Sequence, residues 1–256
     1  MMVPVKIPLC FQLDTRVVIE VTGIKKVYDR VVALDGVTFR VNQGEIFGIL
    51  GSNGAGKSTL LKVLGCIIPP SGGDARINGM SILKEQVKIK SITAYLPEVP
   101  IFPEKLTGRE VLRMVASLRG VDEGYAEKSC ERIARRIELE ELDSPVETYS
   151  KGMKQKLSII AAFFFKPMVM LLDEPTSGLD PKYSRVIREM ITESRSTVLV
   201  STHSAFLAEE ICHRVAILHR GRIIASGRIE ELIATSGGKT LEDAFVSLVS
   251  SGENKK

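Results

Sequence analysis

The chain has 256 residues, 44% of them hydrophobic and 26% charged, with a formal net charge of +4. That length supplies a sizeable core as one large domain or two small ones, and so mild a charge implies only weak attraction to acidic surfaces. With no Trp and 5% aromatic residues, there is little material for stacking single-stranded nucleic acid, and no nucleic-acid partner is expected.

Residues 1–16 precede the first convincing strand and read as a loosely attached arm without the pattern of a signal peptide. Residues 17–47 read as β: VVIEVTGIKKVY and VTFRVNQGEIFGIL carry short alternating or β-branched runs with glycine breaks. GSNGAGKST (Gly51–Thr59) runs on into STLLKVLG, a helical pattern. PPSGGDARINGMSI is turn-rich, with a short strand at Ala75–Asn78. These pieces predict an antiparallel sheet beside a core sheet. Residues 84–165 read as a mostly helical insertion. Pro97, Pro100 and Pro103 break its start. Thr107 with Glu110 makes a capping-box pattern, EGYAEKSCERIARRIELEEL is amphipathic, and Ser150 heads KGMKQKLSIIAAFFF as an N-cap.

MVMLLD is apolar until Asp173, as a strand buried on both faces of a parallel sheet would be. STVLVSTHS repeats the form. RVAILHRGRIIASG reads as two strands around a turn at His219–Gly221, LEDAFVSLV as a short helix and 251–256 as a polar tail. Lys166 and Pro167 break the most apolar stretch, so no segment spans a membrane by itself. Cys10, Cys66, Cys130 and Cys212 are scattered without a C-x-x-C pair, which suits a reducing compartment.

Gly51–Thr59 fits G-x-x-x-x-G-K-[ST] between a strand and a helix, the context a phosphate-binding loop needs. Its glycines let backbone N–H groups of Ser52, Asn53, Gly54 and Ala55 turn toward phosphate oxygens, and the helix start adds partial positive charge. Lys57, after Gly56, can reach terminal phosphates. Ser58 can offer its hydroxyl to Mg²⁺. In an open parallel sheet, ligands sit beyond the carboxyl ends of the strands. The loop, Asp173 with Glu174, and His203 all follow buried strands, so they are expected to converge on one triphosphate. Asp173 suits a Mg²⁺ or metal-water acceptor. Glu174 suits a group that orients or deprotonates an attacking water. His203 has two readings: a donor to the γ-phosphate or the water, and a structural histidine. His213 and His219 are read as structural.

With these residues in view, the chain resembles the nucleotide-binding subunit of an ABC transporter over about 17–250. The implied fold is α/β: a P-loop NTPase core with a mostly parallel sheet, an antiparallel β subdomain and a helical insertion. GSNGAGKST resembles the family's Walker A motif, MVMLLDEP its Walker B motif and Ser177–Asp180 its D-loop. His203 matches the switch histidine. Tyr28 stands where the family stacks adenine, or is an ordinary strand-end tyrosine. The signature LSGGQ reads YSKGM here, keeping Ser150 and Gly152. The resemblance implies that Ser150, Lys151, Gly152, Met153 and Asp180 act in trans on ATP held by another copy. Glu98 replaces the Q-loop glutamine, as a metal-water acceptor or an exposed loop acid. Both departures are similar to the ABC-2-type exporter branch.

The family's mechanism implies an ATPase with ATP and Mg²⁺, a second copy paired head to tail, and a separate integral membrane permease that holds the chain at the inner face of the cell membrane. Val99, Ile101 and Phe102 would line the permease groove or pack in the core. The competing reading is a soluble ABC-type ATPase for assembly or nucleic-acid maintenance, without a permease.

Overall fold

The computed structural model describes residues 16–253. In chain order these form β1 (Val17–Tyr28), β2 (Val31–Asn42), β3 (Ile46–Leu50), α1 (Lys57–Leu64), β4 (Gly72–Ile77), β5 (Met80–Ser81), α2 (Gln86–Ile92), β6 (Thr93–Leu96), α3 (Gly108–Leu118), α4 (Glu123–Arg136), α5 (Lys151–Phe163), β7 (Val169–Asp173), α6 (Pro181–Glu193), β8 (Thr197–Thr202), α7 (Ala205–Ile211), β9 (Arg214–His219), β10 (Arg222–Arg228), α8 (Ile229–Ser236) and α9 (Leu241–Glu253). The N-terminal arm lies outside the described residues except for Arg16. Of the expected polar tail, residues 251–253 continue α9 and the rest lies outside.

The strands make two sheets. A four-stranded antiparallel sheet runs β2-β1-β4-β5, and a six-stranded sheet runs β10-β9-β3-β8-β7-β6. Within the second, β6, β7, β8, β3 and β9 are parallel, and only β10 runs against its neighbour. The long β reading over VTFRVNQGEIFGIL divides here. Its first half belongs to the antiparallel sheet and its second half to the parallel one. The break is the turn after Asn42, where Gly44 takes a positive φ of 70°.

The expected helical segment opens near 84 with α2 but is not continuous. Residues 93–96 are a core strand, β6, paired with β7, and α3, α4 and α5 follow it. Its length hides it: four residues before a proline carry too little periodicity to separate strand from helix. The Thr107–Glu110 capping box forms as expected, with Thr107 Oγ1 accepting from Glu110 N at 3.2 Å and Glu110 Oε2 accepting from Thr107 N at 2.7 Å.

Alternation along the central strands explains why they are apolar throughout. Val169 and Leu171 of β7 face a core shared with α1 and the antiparallel sheet, while Met170 and Leu172 face the α3–α5 side. In β8, Leu199 joins the first core, and Val198 and Val200 the second. Both faces are covered, so every position is buried. Leu171 is fully buried. Leu171→Ala is expected to destabilise the protein by about 2–5 kcal/mol, read from the urea midpoint.

Candidate functional site

Three neighbouring strands, β3, β8 and β7, end at one level. Register pairs Leu50 with Thr202 and Asp173 with Ser201. The ladder continues one residue past the strand ends: Gly51 N donates to Thr202 O at 3.2 Å, and Glu174 N donates to Ser201 O at 3.1 Å. The glycine loop, the acid pair and His203 therefore start from adjacent points, as the sequence predicts.

The loop is pressed against its surroundings. A Cβ on Gly51 would stand 2.5 Å from Leu218 O, and one on Gly56 would stand 2.5 Å from Ala33 O. Gly56 also has a φ of 108°, which only glycine adopts without strain. Ala55 O accepts from Gly221 N at 2.9 Å, fastening the loop to the β9–β10 turn. Ser52, Asn53 and Gly54 are exposed at the tip, and Ser58 and Thr59 are half-buried at the start of α1. That helix end carries unpaired N–H groups and partial positive charge.

Lys57 is buried and folds back over its own loop, donating from Nζ to Gly51 O at 2.9 Å and Ser52 O at 3.2 Å. It also stands 3.5 Å from Glu174 Oε1. Glu174 is held from several sides, with His203 Nδ1 2.9 Å from Oε1 and Thr202 Oγ1 donating to Oε2 at 3.3 Å. Its backbone has a positive φ of 46°, so the chain reverses as it leaves the strand. Asp173 is buried and accepts from Ser201 Oγ at 2.5 Å. Asp173 and the Ser58 hydroxyl offer hard oxygen donors, the chemistry Mg²⁺ takes alongside phosphate oxygens and water. The hydroxyl of Tyr95 on β6 is also buried here, with no protein group at full hydrogen-bond geometry.

Ser150 caps α5, with Oγ accepting from Met153 N at 3.2 Å. Ser150 and Lys151 are exposed, and Gly152 and Met153 half-buried. Lys151 lies across the turn before α6, with its Cε 3.4 Å from where a Cβ on Gly178 would stand. Asp180 caps α6, accepting from Lys182 N at 2.9 Å and Tyr183 N at 3.1 Å. Just past α4, Glu138 accepts from Lys182 Nζ and Tyr183 Oη, each at 2.6 Å. These partners hold its carboxyl below the usual range. Lys156 of α5 donates to Glu138 O at 3.0 Å and sits 3.3 Å from the centre of the Tyr183 ring.

Tyr28 is 44% exposed at the end of β1. Glu98 is exposed after β6. Val99 and Ile101 are exposed, whereas Phe102 packs against the α3–α5 core, so the trio divides. His213 is structural, its Nδ1 accepting from Ile46 N at 2.9 Å.

The sequence pattern of the ABC transporter family matches residues 34–177. The chain belongs to the ABC transporter family. It is 33% identical over 234 residues to the linearmycin resistance ATP-binding protein LnrL of Bacillus subtilis, covering 90% of this chain and 75% of that one. It is 34% identical over 227 residues to the daunorubicin/doxorubicin resistance ATP-binding protein DrrA of Streptomyces peucetius, covering 87% and 69%. A solved ATP-binding subunit of an ABC transporter superposes with a TM-score of 0.85 at 35% identity, covering 91% of this chain and 99% of that one. The chain is accordingly an ATP-binding ATPase of the ABC family. Sequence reasoning gives no role to Ser201, Thr202 or Tyr95, which surround the acid pair. Ser201 and Thr202 could have been found from their place at the end of an apolar strand; Tyr95 carries no such signal.

Gly51→Ala is expected to push the loop off the β9 backbone. Affinity for a fluorescent ATP analogue should drop at least tenfold, with circular dichroism unchanged.

Proposed function

We propose that two copies of this chain close head to tail around two ATP molecules, and that closing and opening of the pair powers a separate integral membrane permease. The observation that carries this reading is the division of the contacts. The loop, Asp173, Glu174 and His203 gather at one set of strand ends, while the contacts of the Ser150–Met153 helix start run to its own first turn and to Gly178. A Cβ on Gly54 would meet nothing within 4 Å, and one on Gly152 would meet only Ser150 Oγ and Gly178 O. Each chain thus carries one phosphate loop and one signature segment that do not meet at these glycines.

In this reading the backbone of Gly51–Thr59 cradles the phosphates, and Lys57 exchanges its loop carbonyls for phosphate oxygens. Ser58 and Asp173 hold Mg²⁺, with Glu98 beside a water of that ion. Mg²⁺ supplies charge neutralisation on the phosphate oxygens. Glu174, already oriented by His203 and Thr202, positions the attacking water and draws its proton. With Nδ1 engaged on Glu174, the other ring nitrogen of His203 is left for the γ-phosphate. Tyr28 stacks on adenine. Ser150, Lys151, Gly152 and Met153 grip the γ-phosphate of the opposite copy, next to its Asp180.

No described helix is long and apolar enough to cross a membrane, so a permease would supply the path and the cargo pocket. Exposed Val99 and Ile101 beside Glu98 would meet it at the cytoplasmic face of the membrane. Two relatives are named for resistance to linearmycin and to daunorubicin and doxorubicin, which supports export as the direction.

Glu174→Gln is expected to lower ATP turnover at least ~100-fold while an ATP-dependent dimer persists in light scattering. Full turnover would remove Glu174 from the role. Ser150→Arg should weaken ATP-driven dimerisation tenfold or more and leave nucleotide binding by the monomer within about twofold; unchanged dimerisation would sink the in-trans assignment.

A further inference from the structure

The two strands beside β7 treat Asp173 unequally. From β8, Ser201 stands opposite Asp173 in register and its hydroxyl donates to Oδ1. From β6, Tyr95 stands opposite Leu171, two residues back on the same face of the sheet. The Tyr95 hydroxyl is closed off from solvent, and no described protein group meets it at full hydrogen-bond geometry. It is near Asp173 all the same. Burial raises the pKa of the phenol, and the Asp173 carboxylate raises it further, with a push from Glu98. The phenol O–H reaches toward the Asp173 carboxylate as a hydrogen-bond donor, short of full geometry, and its oxygen accepts from no described group. A buried hydroxyl whose oxygen has nothing to accept from calls for a donor that arrives with a ligand, an ion or a water.

We propose that Tyr95 is a positioning residue for the metal side of the site, its hydroxyl oxygen accepting from a water on the divalent cation while its O–H faces the Asp173 carboxylate. A hydroxyl can do both at once, and a cation-bound water is a strong donor. The assignment rests on the reading that Ser58 and Asp173 hold Mg²⁺. Asp173 would then be framed by hydroxyls from both flanking strands, Ser201 fixing one oxygen and Tyr95 fixing the water beside the other. Thr93 provides an internal comparison. Its hydroxyl is also buried without a partner, but it stands opposite Val169 rather than near the strand end.

The test is an equilibrium titration of the full chain with a non-hydrolysable ATP analogue, in EDTA and across a Mg²⁺ series. Tyr95→Phe should keep the EDTA affinity within about twofold. It should raise the Mg²⁺ concentration for half-maximal tightening roughly three- to tenfold, the range of one hydrogen bond. Thr93→Val should leave that concentration unchanged. An unchanged Mg²⁺ midpoint in Tyr95→Phe overturns the proposal. So does equal weakening with and without Mg²⁺, which would mark a general packing role. Asp173→Asn separates the two layers of the argument. If that variant responds to Mg²⁺ like the parent, the metal reading itself fails. If it loses the response while Tyr95→Phe keeps it, only the assignment of Tyr95 fails.

Discussion

The candidate site depends on the parallel ladder of β3, β8 and β7 running one residue beyond the strands. The bonds from Gly51 N to Thr202 O and from Glu174 N to Ser201 O set the level at which both the loop and the acid pair leave the sheet. Backbone hydrogen bonds are directional, and the strands beneath them are buried on both faces. The relative positions of Gly51, Glu174 and His203 are therefore inherited from the core. The side chains then make local adjustments within a frame that they do not build.

Within that frame, sterics and charge act in different places. The glycine loop is set by clearance, since Leu218 O and Ala33 O leave no room for a Cβ at Gly51 or Gly56. The acid side is set by polar contacts. Lys57 and Glu174 form a buried pair, and a buried charge whose partner is removed costs several kcal/mol unless another group replaces it. A phosphate entering beside Lys57 would offer a replacement on one side, and the hydrogen bonds from His203 and Thr202 already support the other. Local charge balance can thus be kept while Lys57 changes partners.

The sequence made the loop legible because nearly every position in it answers a specific chemical demand. Asp173, Glu174 and His203 could be placed because each ends an apolar run. What escaped was decided by context. β6 was absorbed into the helical insertion, since TAYL is short and a proline follows. The split between β2 and β3 depends on which sheet each half joins, and no local pattern records that. α6 did announce itself through Asp180 at the cap and Pro181 behind it, but SGLD was read only as a motif. Tyr95 matters through its nearness to Asp173 and the unused accepting side of its buried hydroxyl, and neither is a property of a residue type. The fate of Val99, Ile101 and Phe102 was equally invisible, because three apolar residues look alike until packing separates them.

The contacts of Glu138 have a mechanical meaning. This residue follows α4, yet it grips Lys182 and Tyr183 in the first turn of α6, and Lys156 joins α5 to the same knot. Asp180 and the turn around Gly178 lie immediately before that first turn. A rigid-body tilt of α4 and α5 must either break these contacts or drag the start of α6 with it. While the knot holds, the helical layer and the segment leading into α6 share one degree of freedom.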